Sequence, residues 1–426
     1  MQTNFTPAQL ANPTTAASAR AIRACVHCGF CTATCPSYLV LGDELDSPRG
    51  RIYLIRDMLE NQSIPAPQTV QHIDRCLSCL ACATTCPSGV NYRQLIDHAR
   101  SYIESTYRRP VADRALRALL AFVLPRPTLF RAALIAARPA KPLARLLPGK
   151  LRPLLAMAPA HIHPPDVTSR PATHEPVGPR RARVALLTGC AQSVLAPEIN
   201  AATIRLLTRL GVEVIVPRAA GCCGALTAHI GKNGQPFAAA NIAAWQALET
   251  AAPLDAILVT ASGCGSFIKD YAHLFANHPT LAGPAARITA LTRDITEFLA
   301  NLTLPPPAPN FPGRGLRVAY HAACSLTHGQ HIISQPKALL AAAGFTVLEP
   351  AEAHLCCGSA GTYNLLQPEI AGALRTRKLA TLDALRPDII ATGNIGCLTQ
   401  LSGTPLPVRH TVQLLAWSAG GISPLG

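Results

Sequence analysis

The sequence predicts an α+β and α/β protein: a helical N-terminal domain around two cysteine runs, then a duplicated α/β domain. Three observations predict it. The 16 cysteines split into eight within residues 25–86 and eight within residues 190–397. The second eight repeat themselves: Cys190, Cys222, Cys223 and Cys264 recur as Cys324, Cys356, Cys357 and Cys397, at offsets of 134, 134, 134 and 133 residues. Around them, short apolar stretches alternate with helical ones, the rhythm of strands feeding helices in parallel sheets. The expected domains are 1–99, a basic helical segment and linker at 100–182, and the two repeats at 183–310 and 311–426.

Taken in order, residues 1–24 read as a lead-in helix or an arm. Two runs of the form C-x2-C-x2-C-x3-C-P follow, Cys25, Cys28, Cys31 and Cys35 before Pro36, and Cys76, Cys79, Cys82 and Cys86 before Pro87. Between them, residues 47–59 open with turn chemistry and continue at helical spacing. Arg49 and Arg51 there are candidates for contact with a partner or a cluster charge, against a solvated helix face. Residues 115–124 and 129–137 are helical apolar runs broken by Pro125-Arg126-Pro127. Residues 161–179 are Pro-rich and aperiodic, and read as a linker. In the repeats, strands are expected at 183–188, 212–216 and 255–260, and again at 317–321, 345–348 and 388–392. The repeat cysteines then lie just past the carboxyl ends of strands, where open α/β sheets place ligands.

The two N-terminal runs have the ligand spacing of bacterial two-cluster ferredoxins. Three thiolates two residues apart wrap three corners of one [4Fe–4S] cube, and the fourth reaches the other cube. This assigns Cys25, Cys28, Cys31 and Cys86 to one cluster, and Cys76, Cys79, Cys82 and Cys35 to the second. Zinc sites are built from separated Cys pairs, and thiols this closely spaced suit a cluster better than a bridge. In the repeats, Cys190, Cys222, Cys223, Cys264, Cys324, Cys356, Cys357 and Cys397 are candidates for a further cluster, a redox thiol site, or a scaffold without metal. His27 lies between two ligands; His321, His328, His331 and His354 lie near the second repeat's cysteines.

Composition bounds the class. A chain of 426 residues with 49% hydrophobic and 5% aromatic content can bury a sizeable core. No apolar run is long enough to span a membrane, and residues 1–24 lack the apolar core of a secretory signal. Cysteine-rich without an export signal, the chain is expected in the cytoplasm, with peripheral contact on the cytoplasmic face of the inner membrane as a further candidate. The net charge is +15, concentrated at Arg108, Arg109, Arg114, Arg117, Arg126, Arg131, Arg138, Lys141, Arg145, Lys150, Arg152, Arg180 and Arg181. No nucleic-acid fold signature or aromatic stacking surface accompanies it, so nucleic acid is not an expected partner. A solvated or subunit-facing surface, or an anionic membrane face, accounts for it better.

The repeat's local words, AGCCGA at 220–225 with HLCCGS at 354–359, resemble the paired cysteine-rich CCG domains of heterodisulfide reductases and related iron–sulfur oxidoreductases. The whole layout resembles the iron–sulfur subunits of bacterial glycolate oxidases. The phrases that carry this are RACVHCGFCTATCP at 23–36, LGDELD at 41–46, PRGRIYLI at 48–55, TASGC at 260–264 and LCCGSAGTY at 355–363. The resemblance implies two [4Fe–4S] clusters, with flavin only on an FAD-containing partner. It implies electrons taken from glycolate oxidation, with D-lactate a close second, and passed to the respiratory chain. Related subunits of lactate or anaerobic glycerol-3-phosphate dehydrogenases, and a thiol reductase using the repeat cysteines directly, are the alternatives. One departure stands out: the last motif of those CCG domains is C-x2-C, yet Phe267 and Gln400 occupy the second cysteine's place here. The sequence has no G-x-G-x-x-G fingerprint, so substrate oxidation is expected on the partner, and no catalytic residue is assigned here.

Overall fold

The computed structural model describes residues 1–139, 155, 159 and 162–425; Lys141, Arg145, Lys150 and Arg152 of the basic segment lie outside the described residues. Helices in the first domain start where local chemistry tells them to. Thr6, Asn12, Ser47 and Asn91 accept backbone N–H bonds at the heads of Pro7–Leu10, Pro13–Ala24, Pro48–Glu60 and Tyr92–Thr106. The first three begin with proline, whose fixed φ suits a first helical turn. Their apolar faces meet in a core of Ile22, Ile55, Ile73, Leu95, Ile96 and Ile103, which also encloses Cys25, Cys76 and Cys82. Residues 1–24 are thus helical and packed into this core rather than a free arm. The helix Tyr92–Thr106 runs unbroken across position 99.

Arg51 is the notable buried charge. Its side chain is 1% exposed, so the solvated-face reading does not hold for it, because the helix turns this position inward. The guanidinium donates to the His72 carbonyl at 2.7 Å, Ser37 Oγ at 2.9 Å and Asp46 Oδ1 at 3.2 Å. Asp46, itself fully buried, also receives Arg75 at 2.9 Å. Arg49 behaves differently, pairing with Glu44 at the surface.

Among its described residues the basic segment forms helices Val111–Val123 and Pro127–Ala137, separated at Pro125-Arg126-Pro127 as expected. Arg109 and Arg117 are buried in pairs with Asp74, at 2.6 and 2.9 Å, and with Asp113. Those two charges are therefore structural rather than solvated.

The first repeat carries a five-stranded sheet of order β1-β3-β2-β4-β5: Ala172–His174, Ala182–Leu187, Val212–Val216, Ala256–Val259 and Thr292–Asp294 for β1 to β5. The second carries β7-β6-β8-β9, with β6 to β9 at Arg317–His321, Thr346–Leu348, Ile389–Thr392 and Val408–His410. All pairings are parallel except β1 against β3. The stretch read as a linker thus supplies an antiparallel edge strand, too short at three residues to show a period of two. The halves keep matching ties: Arg183 N–H donates to Asp255 Oδ2 at 2.7 Å, and Arg317 N–H to Asp388 Oδ2 at 2.8 Å. One apolar core spans both, from Val184 and Leu186 to Val318, Ile389 and Trp417.

The N-terminal domain docks on the second repeat. Leu77, Cys79 and Ala81 pack with Leu355, Cys356, Tyr363 and Leu374. Tyr363 Oη donates to the Arg75 carbonyl at 3.0 Å.

Removing the Asp46 carboxylate strands the buried Arg51 guanidinium without its counter-charge. Asp46→Ala is expected to lower the unfolding free energy by about 3–5 kcal/mol, read by chemical denaturation.

Candidate metal centres

Each N-terminal run curls through a matched pair of left-handed residues. His27 (φ 55°) and Gly29 (φ 86°) flank Cys28; Ser78 (φ 51°) and Leu80 (φ 63°) flank Cys79. Three of the four are not glycine, a conformation that costs energy and persists only where the surroundings impose it. The curl turns successive sulfurs to one side. Cys25, Cys28, Cys31, Cys82 and Cys86 line one cavity, with Arg49 beside them. Burial pushes the Cys31 thiol up to about 11, so that an unmetallated thiolate there is disfavoured. Cys28 is exposed, and Val26 and Phe30 beside it stand 66% and 61% exposed. His27 packs on Tyr53 at 4.5 Å and faces Met1 Sδ at 3.3 Å; burial lowers its pKa.

Cys35, Cys76, Cys79 and Cys82 are buried, as is Cys25. The Cys82 thiol is held well above its ordinary range by burial first, then by Cys79, Cys76 and Cys35. Donors surround these sulfurs. Arg51 Nη1 lies 3.9 Å from Cys35 Sγ, Tyr92 Oη 3.9 Å from Cys76 Sγ, and Ser78 N–H 3.5 Å from Cys76 Sγ. Arg100 holds the Cys76 carbonyl at 2.5 Å and Ser78 Oγ at 2.6 Å. Tyr92 and Arg100 carry no motif of their own, whereas Arg51 is already a candidate for a cluster charge in the helix between the runs.

In each repeat the Cys-Cys-Gly word works through the glycine. Gly224 and Gly358 have φ of 93° and 90°, and a Cβ on either would meet a carbonyl oxygen at 2.6 Å. That turn aims the Gly224 N–H at Cys222 Sγ, 3.4 Å away, and the Gly358 N–H at Cys356 Sγ, 3.5 Å away. Cys222 is held down to about 4 by hydrogen bonds from Cys190 and then Cys223. Cys356 is held well down in the same way by Cys324 and then Cys357, and Cys324 Sγ lies 3.7 Å from Cys356 Sγ. Cys397 is pulled down to about 5, chiefly by a bond from Cys357. Their neighbours Cys190, Cys223, Cys324 and Cys357 are pushed up in turn, so each group shares protons that metal binding would displace.

The second repeat adds a nitrogen. His321, at the end of β6, forms a compact buried group with Cys357 and Cys397, their ligand atoms all within 4.8 Å. His328 instead bridges domains, bonding Thr84 Oγ1 at 2.8 Å and the His354 carbonyl at 3.2 Å. The two repeats touch at their cysteine ends. Asn394 Nδ2 lies 3.5 Å from Cys397 Sγ, its Oδ1 accepts from Gly263 N–H at 3.4 Å, and Ser262 and Ser325 share a bond at 2.7 Å.

Beside the first repeat's Cys190, Cys223 and Cys264 lies a cavity of about 450 Å³. Its other wall is Leu120, Leu124, Phe130 and Leu134 from the two basic-segment helices, and Gln192, His229, Asn364 and Asn394 are its principal polar groups. Nothing in the sequence marks this cavity, because its wall comes from helices whose most legible feature is their charge.

All sixteen cysteines are free thiols, eight in the N-terminal domain and four in each repeat. A buried donor set this rich in sulfur, with N–H groups aimed at it, fits iron–sulfur ligation.

Comparison with known proteins agrees with that chemistry. Residues 21–90 match the 4Fe-4S dicluster domain family, and residues 184–269 and 318–402 match the cysteine-rich domain family. The chain is 42% identical to the glycolate oxidase iron-sulfur subunit of Escherichia coli (strain K12), over 97% of this chain and 98% of that one. It is 32% identical to a probable glycolate oxidase iron-sulfur subunit of Bacillus subtilis (strain 168), over 93% of this chain and 94% of that one. Lactate utilization protein A of Geobacillus thermodenitrificans is 27% identical over 55% of this chain and 98% of its own. A crystal structure of a hypothetical protein from Helicobacter pylori shares the fold, with a TM-score of 0.52 at 12% identity over 97% of this chain and 74% of that one. The chain is an electron-transferring iron–sulfur component of an oxidoreductase, and it belongs to the family of glycolate oxidase iron–sulfur subunits.

Proposed function

We propose that the chain carries electrons, one at a time, from an FAD-bearing partner that oxidises glycolate to glyoxylate toward a respiratory acceptor. The observation that carries this reading is the near full-length similarity to a glycolate oxidase iron-sulfur subunit, joined to sixteen free cysteines. A bound [4Fe–4S] cluster supplies reversible one-electron transfer, which hydride chemistry on a flavin needs as its outlet. Cys25, Cys28, Cys31 and Cys86 hold one cluster, and Cys76, Cys79, Cys82 and Cys35 the second. The shared cavity supports the first set, and the mutual influence of Cys82, Cys79, Cys76 and Cys35 supports the second.

The exposed Cys28, rimmed by Val26 and Phe30, suits the face where the partner docks. From there the Cys76 set leads to the second repeat through the packing of Cys79 with Cys356, and Asn394 links the second repeat to the first. The apolar cavity beside Cys190, Cys223 and Cys264 suits a quinone-class acceptor, which takes two electrons from the chain and two protons from solvent to give the quinol. Among the described residues no helix is long and apolar enough to cross a membrane. Contact with the cytoplasmic face of the inner membrane is supported instead by the outward row Val111, Arg114, Leu119 and Phe122 on one helix. D-lactate is a second reading, favoured by the partial similarity to a lactate utilization protein.

Co-purified with its flavin partner, the complex is expected to bleach its iron–sulfur absorbance with glycolate, and more slowly with D-lactate. The chain alone should not respond to either. Leu124→Trp, which fills the cavity, is expected to slow quinone reduction at least tenfold while leaving bleaching by glycolate unchanged. Bleaching of the isolated chain by glycolate contradicts the partner assignment, and unchanged quinone reduction contradicts the cavity's role.

The crossed ligand assignment has its own test. Cys86→Ala is expected to remove the EPR signal of the cluster held by Cys25, Cys28 and Cys31, and to spare that of the Cys76 set. The reverse pattern overturns it.

A further inference from the structure

We infer that His321 is a metal ligand, joining Cys324, Cys356, Cys357 and Cys397 in a mixed nitrogen–sulfur site that the first repeat lacks. This rests on the reading of the repeats as iron–sulfur sites and adds a donor and an asymmetry to it.

The first support is an unsatisfied imidazole. His321 is 1% exposed, and neither ring nitrogen has a nitrogen or oxygen partner; what faces it is cysteine sulfur, Cys397 in particular. His98, His328 and His410 each bond an oxygen through at least one nitrogen, on Ser18, Thr84 and the Thr260 carbonyl. A buried imidazole whose neighbours are thiols alone is costly unless a metal joins them. The second support is its aim: it shares one compact group with the sulfurs of Cys357 and Cys397. Cys324 and Cys356 continue that group, their sulfurs 3.7 Å apart.

The duplication supplies an internal control. His321 ends β6 and pairs in register with Thr392 of β8. The residue 134 positions earlier is Leu187, which ends β2, pairs in register with Val259 of β4 and is equally buried. The same backbone position therefore carries a hydrocarbon in one copy and a donor in the other. A core role alone would be served by leucine in both. Position 400, where related domains place a fifth cysteine, is Gln400, which bonds Asn364 and the Ala371 carbonyl instead. His321 thus restores a fifth donor to the second repeat, from strand β6 rather than from the helix Ile395–Leu401.

A neutral imidazole standing where related domains place a fifth thiolate leaves the donor set one negative charge short of five thiolates, a change that raises the reduction potential of an iron–sulfur centre.

The test uses the full chain enriched in ⁵⁷Fe, with iron, sulfide and zinc counted and all iron observed by Mössbauer spectroscopy. Wild type is expected to hold more than eight irons per chain. His321→Leu, which copies the tolerated residue of the first repeat, is expected to lose or shift one quadrupole doublet and to spare the two N-terminal clusters. His321→Cys is expected to restore the iron. A Mössbauer spectrum and iron count unchanged in folded His321→Leu overturn the inference about His321. If Cys357→Ala lowers the iron in the same series, the cluster reading of the repeat survives that failure. Eight irons in wild type, unchanged in Cys357→Ala, sinks both. Eight irons with one zinc lost in His321→Leu overturns the iron assignment.

Discussion

The packing of Leu77, Cys79 and Ala81 against Leu355, Cys356 and Tyr363 is the contact on which the rest of the molecule depends. Electron tunnelling falls off exponentially with distance, so two cysteine groups in separate domains are useful together only if the domains are held. Apolar burial does the holding. Each buried aliphatic or aromatic side chain contributes about 1.5–3 kcal/mol, whereas an exposed ion pair contributes about 1 kcal/mol or less. The domain contact is therefore set by a small apolar cluster that happens to contain two thiols. Burial raises the Cys79 thiol, with Cys356 as the next contribution, so an empty site resists ionisation and a bound metal stabilises both sides of the contact.

Charge follows from the same burial. Cluster-bearing thiolates concentrate negative charge where water is absent, and the chain answers with arginine. Arg51 and Arg100 reach the Cys35 and Cys76 region from two different helices, and Asp46 keeps Arg51 in place. Part of the +15 charge thus belongs to the interior. Arg109 and Arg117 are likewise consumed by Asp74 and Asp113, which leaves Arg114 and the apolar row beside it as the free face of that helix.

How much of this is legible in the sequence depends on the range of the interaction. The two four-cysteine runs, the duplication and the principal parallel strands show there because ligand spacing and strand periodicity are local. Strand β3 falls at residues 212–216 and β6 at 317–321, as the apolar runs indicate. Strands β1, β5 and β9 have three residues each and no apolar run to mark them, whereas β7, equally short, lies in the apolar run 345–348. Arg51 is visible as an arginine on a helix, but its burial depends on Asp46, Ser37 and the His72 carbonyl, which only the fold assembles. The apolar cavity needs two separate helices to close over Cys190 and Cys264. His321 is visible as a histidine near cysteines. What singles it out is that it ends its strand where Leu187 ends the matching strand of the first repeat, which the two sheets make plain.

The proposed electron path is ordered: Cys25 set, Cys76 set, second repeat, first repeat. Rapid freeze-quench EPR of the flavin-loaded complex mixed with glycolate tests it most directly. The signal of the Cys25 set is expected to rise first and that of the Cys76 set next. In Cys79→Ala the Cys25 signal should still rise, while nothing beyond it becomes reduced. Reduction of the repeats at the wild-type rate in that variant would contradict the path, since electrons would then reach them without crossing the domain contact.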